Sequence, residues 1–183
     1  MLWLWILIGI VAFVAFVFFI YYNRFVVLGN RIDNSLSQIN VQLKRRAELI
    51  PNLIETVKGF AKHEKAAINA VTEARKALLK AEGLEAKMKA DVGLESALKS
   101  IFALAEGYPD LKANTNFLEL QRELAATEDR VAYARQYYND SVMSYNNLCQ
   151  IFPGNIFASI LGKKPEDYLQ VTEEEKKPVN VKF

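Results

Sequence analysis

The stretch NRIDNSLSQINVQLKRRAELIPNLIETVKGFAKHE, residues 30–64, has the apolar periodicity of one long helix. Its apolar residues recur every three or four positions, the spacing that places side chains on a single helix face. The same spacing continues beyond the stretch, and the series is Ile32, Leu36, Ile39, Leu43, Ala47, Ile50, Ile54, Val57, Ala61, Ile68 and Val71. This pattern predicts a helix that runs from residue 23 to a stop near Gly83.

Pro51 lies inside this predicted helix. A proline in a helix interior removes one backbone hydrogen bond, and its ring clashes with the preceding turn. The apolar face nevertheless keeps its phase on both sides of Pro51, so we predict one bent helix rather than two unrelated helices. Unbroken, it would measure about 90 Å. The segment must therefore form a stalk, fold back at Pro51, or serve as the spine of an assembly.

The segment before this helix is a predicted membrane span. Residues 1–22, MLWLWILIGIVAFVAFVFFIYY, carry no charge, and as a helix they would measure about 33 Å, enough to cross a hydrocarbon core of about 30 Å. A cleaved signal peptide is the competing interpretation. It is disfavoured because the segment has no basic start, an overlong apolar run and no small-residue cleavage site. The residues expected at the membrane interfaces are Trp3, Trp5, Tyr21, Tyr22 and, just beyond, Arg24.

Basic residues near the span predict its orientation. Arg24 and Arg31 follow the span, whereas only the terminal amine precedes it. The positive-inside rule therefore places a short N-terminus outside and the bulk of the chain in the cytoplasm. The localisation we expect is a bacterial inner membrane with a single span, and a periplasmic body is the alternative.

The rest of the chain is predicted to be helical. Residues 83–93 are bracketed by two glycines and suggest a loop with some helical character, and 94–105 form a shorter amphipathic helix. Asn116 and Glu119 have the spacing of a capping box at the start of a last long helix. That helix ends at Pro153-Gly154, and a short apolar segment follows at 155–161.

The fold class predicted from these elements is all-α. An N-terminal transmembrane helix precedes an up-and-down bundle of long helices, of four-helix type. The expected divisions are a transmembrane helix at 1–22, a bundle at 23–152, and a short apolar segment with an extended or disordered tail at 153–183. The tail ends in PVNVKF, which could add a strand between neighbouring copies.

Several long strings resemble one protein family. They are the opening stretch, EAR at 73–75, YPDLKANTNFLELQRELAATEDRVAYARQYYNDSVMSYN at 108–146 and FPGNIFASILG at 152–162. Together with the span and the Pro-Val-x-Val-x-Phe ending, they resemble the LemA family of bacterial membrane proteins. The resemblance implies a bacterial source, a membrane anchor and an up-and-down helical bundle, but it implies no reaction. Some relatives occur in membrane compartments such as magnetosomes, which implies a role in organising membranes or proteins.

Composition restricts the chemistry. The 23 basic and 21 acidic residues give a net charge of +2, so we expect no nucleic-acid partner. Cys149 is the single cysteine and His63 the single histidine, which excludes an intramolecular disulfide, a cysteine-based zinc site and a multi-histidine metal site. The glycines are scattered, so no phosphate-binding loop is present. We predict a protein that is not an enzyme and has no cofactor.

Two charged residues border the apolar face of the last helix, Glu128 and Arg135. Charged groups near a core are usually paired. The candidate partners are Arg45 or Arg46 for Glu128, and Glu48 or Glu55 for Arg135. Solvated positions at the edge of the helix are the alternative.

The segment RQYYNDSVMSYNN, residues 135–147, is rich in tyrosine and asparagine. Tyr138 and Tyr145 are seven residues apart and face inward together. Asparagine is a weak helix former, so interactions beyond intrinsic propensity must hold this segment helical. Hydrogen bonds between helices or between subunits would do so.

More apolar residues are present than one buried stripe per helix requires. The first helix adds a neighbouring face, and the last helix adds further residues; the candidates for self-association are Leu49, Leu53, Phe60 and Tyr137. A membrane anchor confines all copies to one plane and raises their effective concentration. The leading hypothesis is a non-enzymatic, membrane-anchored scaffold that forms homo-oligomers. The alternatives are an adaptor that binds a membrane protease or sensor, and a hydrolase with an unrecognised site.

Overall fold

A computed structural model describes residues 1–169. These residues form six helices and no strand: α1 (Leu2–Phe60), α2 (Lys65–Lys80), α3 (Leu84–Ala105), α4 (Pro109–Lys112), α5 (Thr115–Gln150) and α6 (Gly154–Ile160). The predicted all-α fold is confirmed. PVNVKF lies outside the described residues.

The described residues form two compact units. The terminal unit combines Met1–Leu36 with Arg135–Leu169, and the bundle unit is Ser37–Ala134. Each unit therefore contains part of α1 and part of α5.

The bundle unit contains four long helical segments. α1 and α3 meet where Lys87 Nζ donates a hydrogen bond to Asn40 Oδ1, at 2.7 Å. α3 and α5 meet through the rings of Phe102 and Phe117, whose centroids are 6.0 Å apart. The apolar face quoted at the start lies in the core, where Ile39, Leu43, Ala47, Ile50 and Val57 are all buried. The periodicity of α1 therefore specifies the side of the helix that its neighbours cover.

α1 is helical across Pro51, as predicted. Pro51 has no N–H, so the carbonyl of Ala47, four residues earlier, loses its helical donor. Arg75 of α2 replaces that donor, because its Nε donates a hydrogen bond to Ala47 O at 2.8 Å. The proline therefore creates an acceptor that the next helix satisfies.

The predicted continuation of the first helix to Gly83 is wrong. α1 ends at Phe60, a turn occupies residues 61–64, and α2 packs back against α1. The apolar series has a weak point here, because its step from Ala61 to Ile68 is seven residues and Lys62, His63, Glu64 and Lys65 follow one another inside it. The long segment therefore folds back at this turn and not at Pro51.

The predicted loop at 83–93 is also wrong, because residues 84–93 belong to α3. Met88 and Leu94 are buried on one side of it, and most of the residues between the two glycines are good helix formers. Tertiary packing therefore outweighs the cost of Gly93 in the helix. Gly83 does mark a boundary, since its φ of 79° lies in the region that favours glycine.

The predicted capping box is displaced by two residues. Asn114 caps α5, because its Oδ1 accepts a hydrogen bond from the backbone N–H of Phe117 at 3.0 Å. Asn116 and Glu119 lie within the helix. The last helix consequently starts at Thr115, two residues earlier than a cap at Asn116 implies.

The hydrogen bond from Arg75 to Ala47 gives a testable prediction. Arg75→Met should lower the free energy of unfolding by about 1–3 kcal/mol, because it leaves a carbonyl group without a donor. Pro51→Ala restores the helical N–H, so Arg75→Met should cost clearly less in that background. Thermal unfolding of the four detergent-solubilised proteins, followed by circular dichroism, measures the coupling. Equal costs in both backgrounds would contradict the replacement of the donor.

Candidate functional site

Arg46 is the most deeply buried charged residue of the bundle unit. Its side chain lies between two carboxylates: Nη1 donates to Asp91 Oδ1 at 2.8 Å, and Nη2 donates to Glu128 Oε2 at 3.2 Å. Arg46 is 1% exposed, Asp91 is buried, and the Glu128 side chain is 48% exposed. One guanidinium group on α1 therefore binds both α3 and α5.

Asp91 is the member of this site that sequence reasoning missed. It was hidden in the stretch interpreted as a loop. Asp91 lies three residues from Met88 and three from Leu94, and all three are buried in α3. An acid at this spacing among apolar residues was the sequence feature that could have identified it. A buried acid in an apolar series calls for a basic partner on a facing helix.

The pKa of Glu128 is raised above its ordinary value. Burial is the main cause, the Glu95 carboxylate adds to it, and the Arg46 guanidinium opposes it. The folded state therefore holds this proton more tightly than the unfolded chain does. The contribution of Glu128 to stability is present below the ordinary pKa of 4.5 and is lost as the pH rises through the raised value.

Arg45 is the other candidate partner of Glu128, and the pairing of Arg135 stays a prediction. Arg45 pairs with Glu123 at 3.1 Å on the surface, not with Glu128. Arg135 is a half-buried residue of α5. Its two candidate partners lie beside lysines of their own helix: Glu48 is 3.8 Å from Lys44, and Glu55 is 2.9 Å from Lys58.

Asp91→Ala tests the buried site, and Glu123→Ala is the matched control. Loss of Asp91 leaves Arg46 buried with only the half-exposed Glu128, so the free energy of unfolding should fall by about 3–5 kcal/mol. Loss of Glu123 breaks an exposed pair and should cost less than about 1 kcal/mol. Thermal melts monitored by circular dichroism measure both. Similar small losses would show that Arg46 does not depend on Asp91.

Two asparagines of α5 hold an extended segment in the terminal unit. Asn146 Nδ2 donates to Glu166 O at 2.8 Å, and Glu166 N donates back to Asn146 Oδ1 at 2.8 Å. Asn139 pairs with Leu169 in the same way, at 3.1 Å and 2.9 Å. We call these two residues the asparagine clamp and residues 163–169 the strap.

The spacing of the clamp matches the strap. Seven residues of helix separate Asn139 from Asn146, a rise of about 10 Å. Three extended residues separate Glu166 from Leu169, which also span about 10 Å. The expected hydrogen bonds from these asparagines therefore go to a segment of the same chain. The strap was missed because its residues have no periodicity, and an asparagine repeat seven residues apart was the only signal.

Two tyrosines expected to face inward lie beside the clamp. Tyr138 OH donates to Asp167 O at 3.3 Å, and the Tyr145 ring packs edge-on against Phe25 with centroids 5.8 Å apart. Burial is the main cause that raises the pKa of each tyrosine. Burial also raises the pKa of the Cys149 thiol, so this cysteine has the character of a packed apolar residue and not of a nucleophile.

Asn146→Ala should release the strap from α5, because it removes two hydrogen bonds. Hydrogen–deuterium exchange of a peptide covering residues 163–169 should become several-fold faster. Asn147→Ala changes an exposed neighbour and serves as the control. Unchanged exchange in Asn146→Ala would mean that the clamp does not hold the strap.

The expected interfacial residues lie on α1. The most apolar window of this helix has a mean hydropathy of 2.8, and none of it is buried within the protein. Trp3, Trp5, Tyr22 and Arg24 are exposed. Tyr21 also packs within the protein, which the sequence did not reveal, because its ring stacks on the ring of Phe157 in α6.

The candidate self-association residues differ in exposure. Leu53 is fully buried in the core, so it offers no surface to another copy, and the expectation for this residue is wrong. Leu53 is buried because the neighbouring helices cover this part of α1. The apolar periodicity of α1 alone does not show how far that cover extends. Leu49 and Tyr137 are half-buried, and Phe60 is exposed.

A groove of about 440 Å³ lies between α1 and α5 in the bundle unit. Tyr133 lines the groove and is 70% exposed, and Val41, next to Gln42 in sequence on α1, is 58% exposed. Gln42 lines the groove, and its buried Oε1 has no hydrogen-bond donor among the residues described. The full lining is Gln38, Gln42, Asp129, Arg130, Tyr133 and Ala134.

Metal-binding chemistry has little basis in the described part of the chain. Within residues 1–169, no three His, Cys, Asp or Glu side chains are grouped so that they could hold a metal ion.

An unburied apolar span and a four-helix bundle that share one continuous helix define a membrane-anchored helical-bundle protein. The LemA family model matches residues 35–183, so the chain belongs to the LemA family.

Named relatives agree with this assignment. Magnetosome protein MamQ 2 of Paramagnetospirillum magneticum is 25% identical over 189 residues, which cover 89% of this chain and 69% of that protein. Magnetosome protein MamQ of Magnetospirillum gryphiswaldense is 25% identical over 173 residues, covering 80% and 64%. Protein LemA of Metamycoplasma hominis is 26% identical over 155 residues, covering 82% and 69%.

Proposed function

We propose that the protein is a non-enzymatic scaffold whose copies associate side by side in the membrane. The observation that carries this proposal is the groove between α1 and α5, with Val41 and Tyr133 exposed beside it. Apolar side chains exposed beside a groove are compatible with a contact with another protein.

The chemistry of the groove supports a protein occupant. Gln42 Oε1 is buried and accepts no hydrogen bond among the described residues, which is costly unless a donor is supplied. A second copy that presents Arg130, Tyr133 or Gln38 brings hydrogen-bond donors and apolar area to the groove. A self-complementary contact of this kind is compatible with cyclic symmetry.

The membrane anchor favours self-association. Because α1 is one helix from the span into the bundle, all copies are confined to one plane with one orientation. Confinement raises the effective concentration, so a modest contact suffices. The names of two relatives as magnetosome proteins are consistent with a role in organising a membrane compartment.

The mass of the detergent-extracted chain tests this proposal. Full-length protein should form particles larger than a monomer across a tenfold dilution in mass photometry. Val41→Asp combined with Tyr133→Asp should shift the particles to monomers, because charge at the groove opposes burial. Leu79→Asp, at an exposed apolar position on α2, should leave the mass unchanged. A monomer of the unaltered chain at every concentration would instead favour the adaptor, whose partner is a different membrane protein.

The proposed location is a bacterial inner membrane with the bundle in the cytoplasm. Arg24 and Arg31 after the span support this orientation. Lys80→Cys in a Cys149→Ser background places one reactive thiol on the bundle. This thiol should resist a membrane-impermeant maleimide in whole cells and react after lysis. Labelling in whole cells would place the bundle on the outer side.

A further inference from the structure

Residues 151–160 expose large apolar side chains in the terminal unit. Phe152 is 75% exposed, and Ile151, Ile156 and Ile160 are also exposed. Three of them are isoleucines, which favour apolar surroundings. α6 itself is two-sided, since Gly154 and Ala158 are buried on its other side. The segment has an apolar surface that the described chain does not cover.

The buried side of α6 fixes the segment to the end of the span. The Phe157 ring stacks on Tyr21, with centroids 4.7 Å apart and planes 14° apart. It also contacts Phe18 at 6.0 Å, edge-on. Phe18 lies four residues inside the end of the span at Tyr22, about 6 Å towards the bilayer centre. With residues 1–22 as the span, α6 is attached at the depth where aromatic rings meet lipid headgroups.

α6 is held closely against the end of α5. A Cβ on Gly154 would lie 2.2 Å from the carbonyl oxygen of Leu148, so only glycine fits this approach. After α6, Lys163 N donates a hydrogen bond to Ala158 O at 2.9 Å. The exposed apolar face is thus presented by an element that packs against α5 at its N-terminal end.

Four basic residues lie near the segment, two of them beside the groove that Ile151 and Phe152 line and two directly after α6 in sequence. Arg24 and Arg31 follow the span on α1, and Lys163 and Lys164 follow α6; all four are exposed. The acidic residues of the strap come later, and Glu166 is held at Asn146 on α5. Basic side chains next to an apolar insertion suit a surface of anionic phospholipids.

We propose that residues 151–160 form a second membrane contact, which inserts into the leaflet where α1 leaves the bilayer. Interfacial helices of this kind bury their apolar face about 5–10 Å below the headgroups, which agrees with the attachment at Phe18 and Tyr21. The exposed apolar side chains then face the same lipid as Phe19 and Ile20 of the span. The terminal unit is consequently fixed to the bilayer at two places, the span and α6.

Fluorescence quenching by lipids tests this contact in the full-length chain. Ile156→Cys in a Cys149→Ser background is labelled with an environment-sensitive nitrobenzoxadiazole group. The protein is reconstituted in vesicles of phosphatidylethanolamine and phosphatidylglycerol, with or without lipids that carry a quencher near the headgroup. Asp140→Cys, an exposed position on α5, is the matched control, and Ile160→Cys repeats the measurement at a second exposed site.

The labels at 156 and 160 should emit at shorter wavelength and be quenched several-fold more strongly by the quencher lipids than the label at 140. Equal emission and equal quenching at all three positions would show that α6 faces water, and would overturn the proposal. Blue-shifted emission without lipid quenching would place a protein surface on α6, and would also overturn it. Neither outcome depends on the groove between α1 and α5, so the scaffold proposal is tested separately.

Discussion

The hydrogen bond from Arg75 to the carbonyl of Ala47 determines how the bundle can be built. Pro51 interrupts the backbone hydrogen bonding of α1, and a buried carbonyl without a donor would be costly. The guanidinium of α2 supplies that donor at 2.8 Å. This contact sets the register of α2 on α1. Pro51 would weaken an isolated helix, but in α1 it leaves a carbonyl group that Arg75 of α2 binds.

Next to Ala47, Arg46 fixes the other two long segments. Its two carboxylate partners, Asp91 and Glu128, lie on α3 and α5. Replacing a buried ion pair by apolar residues is often neutral or stabilising, so the value of such a site is chiefly in the arrangement it specifies. Ala47 and Arg46 are neighbours in sequence, so one turn of α1 is linked to all three of the other long segments.

Much of this fold follows from periodicity, and the departures have physical causes. The repeat of three and four residues identified α1, its passage through Pro51 and the long last helix. The repeat did not reveal the turn at 61–64, because a single longer interval between apolar residues does not show that the chain reverses there. It missed the helical state of 83–93, since glycines at both ends resemble loop boundaries, and tertiary packing at Met88 and Leu94 decides the outcome.

The polar sites were less predictable than the helices. Glu128 was expected near Arg45 or Arg46, because a charge beside an apolar face needs a partner, and it lies beside Arg46. Leu53 was expected on the surface and is buried, because exposure depends on how far neighbouring helices extend. The partner of the asparagine clamp could not be inferred, since the strap is bound through its backbone.

Recognition of the strap through its backbone has a consequence for sequence variation. Within residues 1–169, the side-chain hydrogen bonds of Asn139 and Asn146 go to main-chain N–H and C=O groups of Leu169 and Glu166. The side chains of Glu166, Asp167 and Tyr168 remain exposed. The attachment of this segment is therefore independent of the side chains it displays, and their charge and size can change while the path of the backbone stays the same.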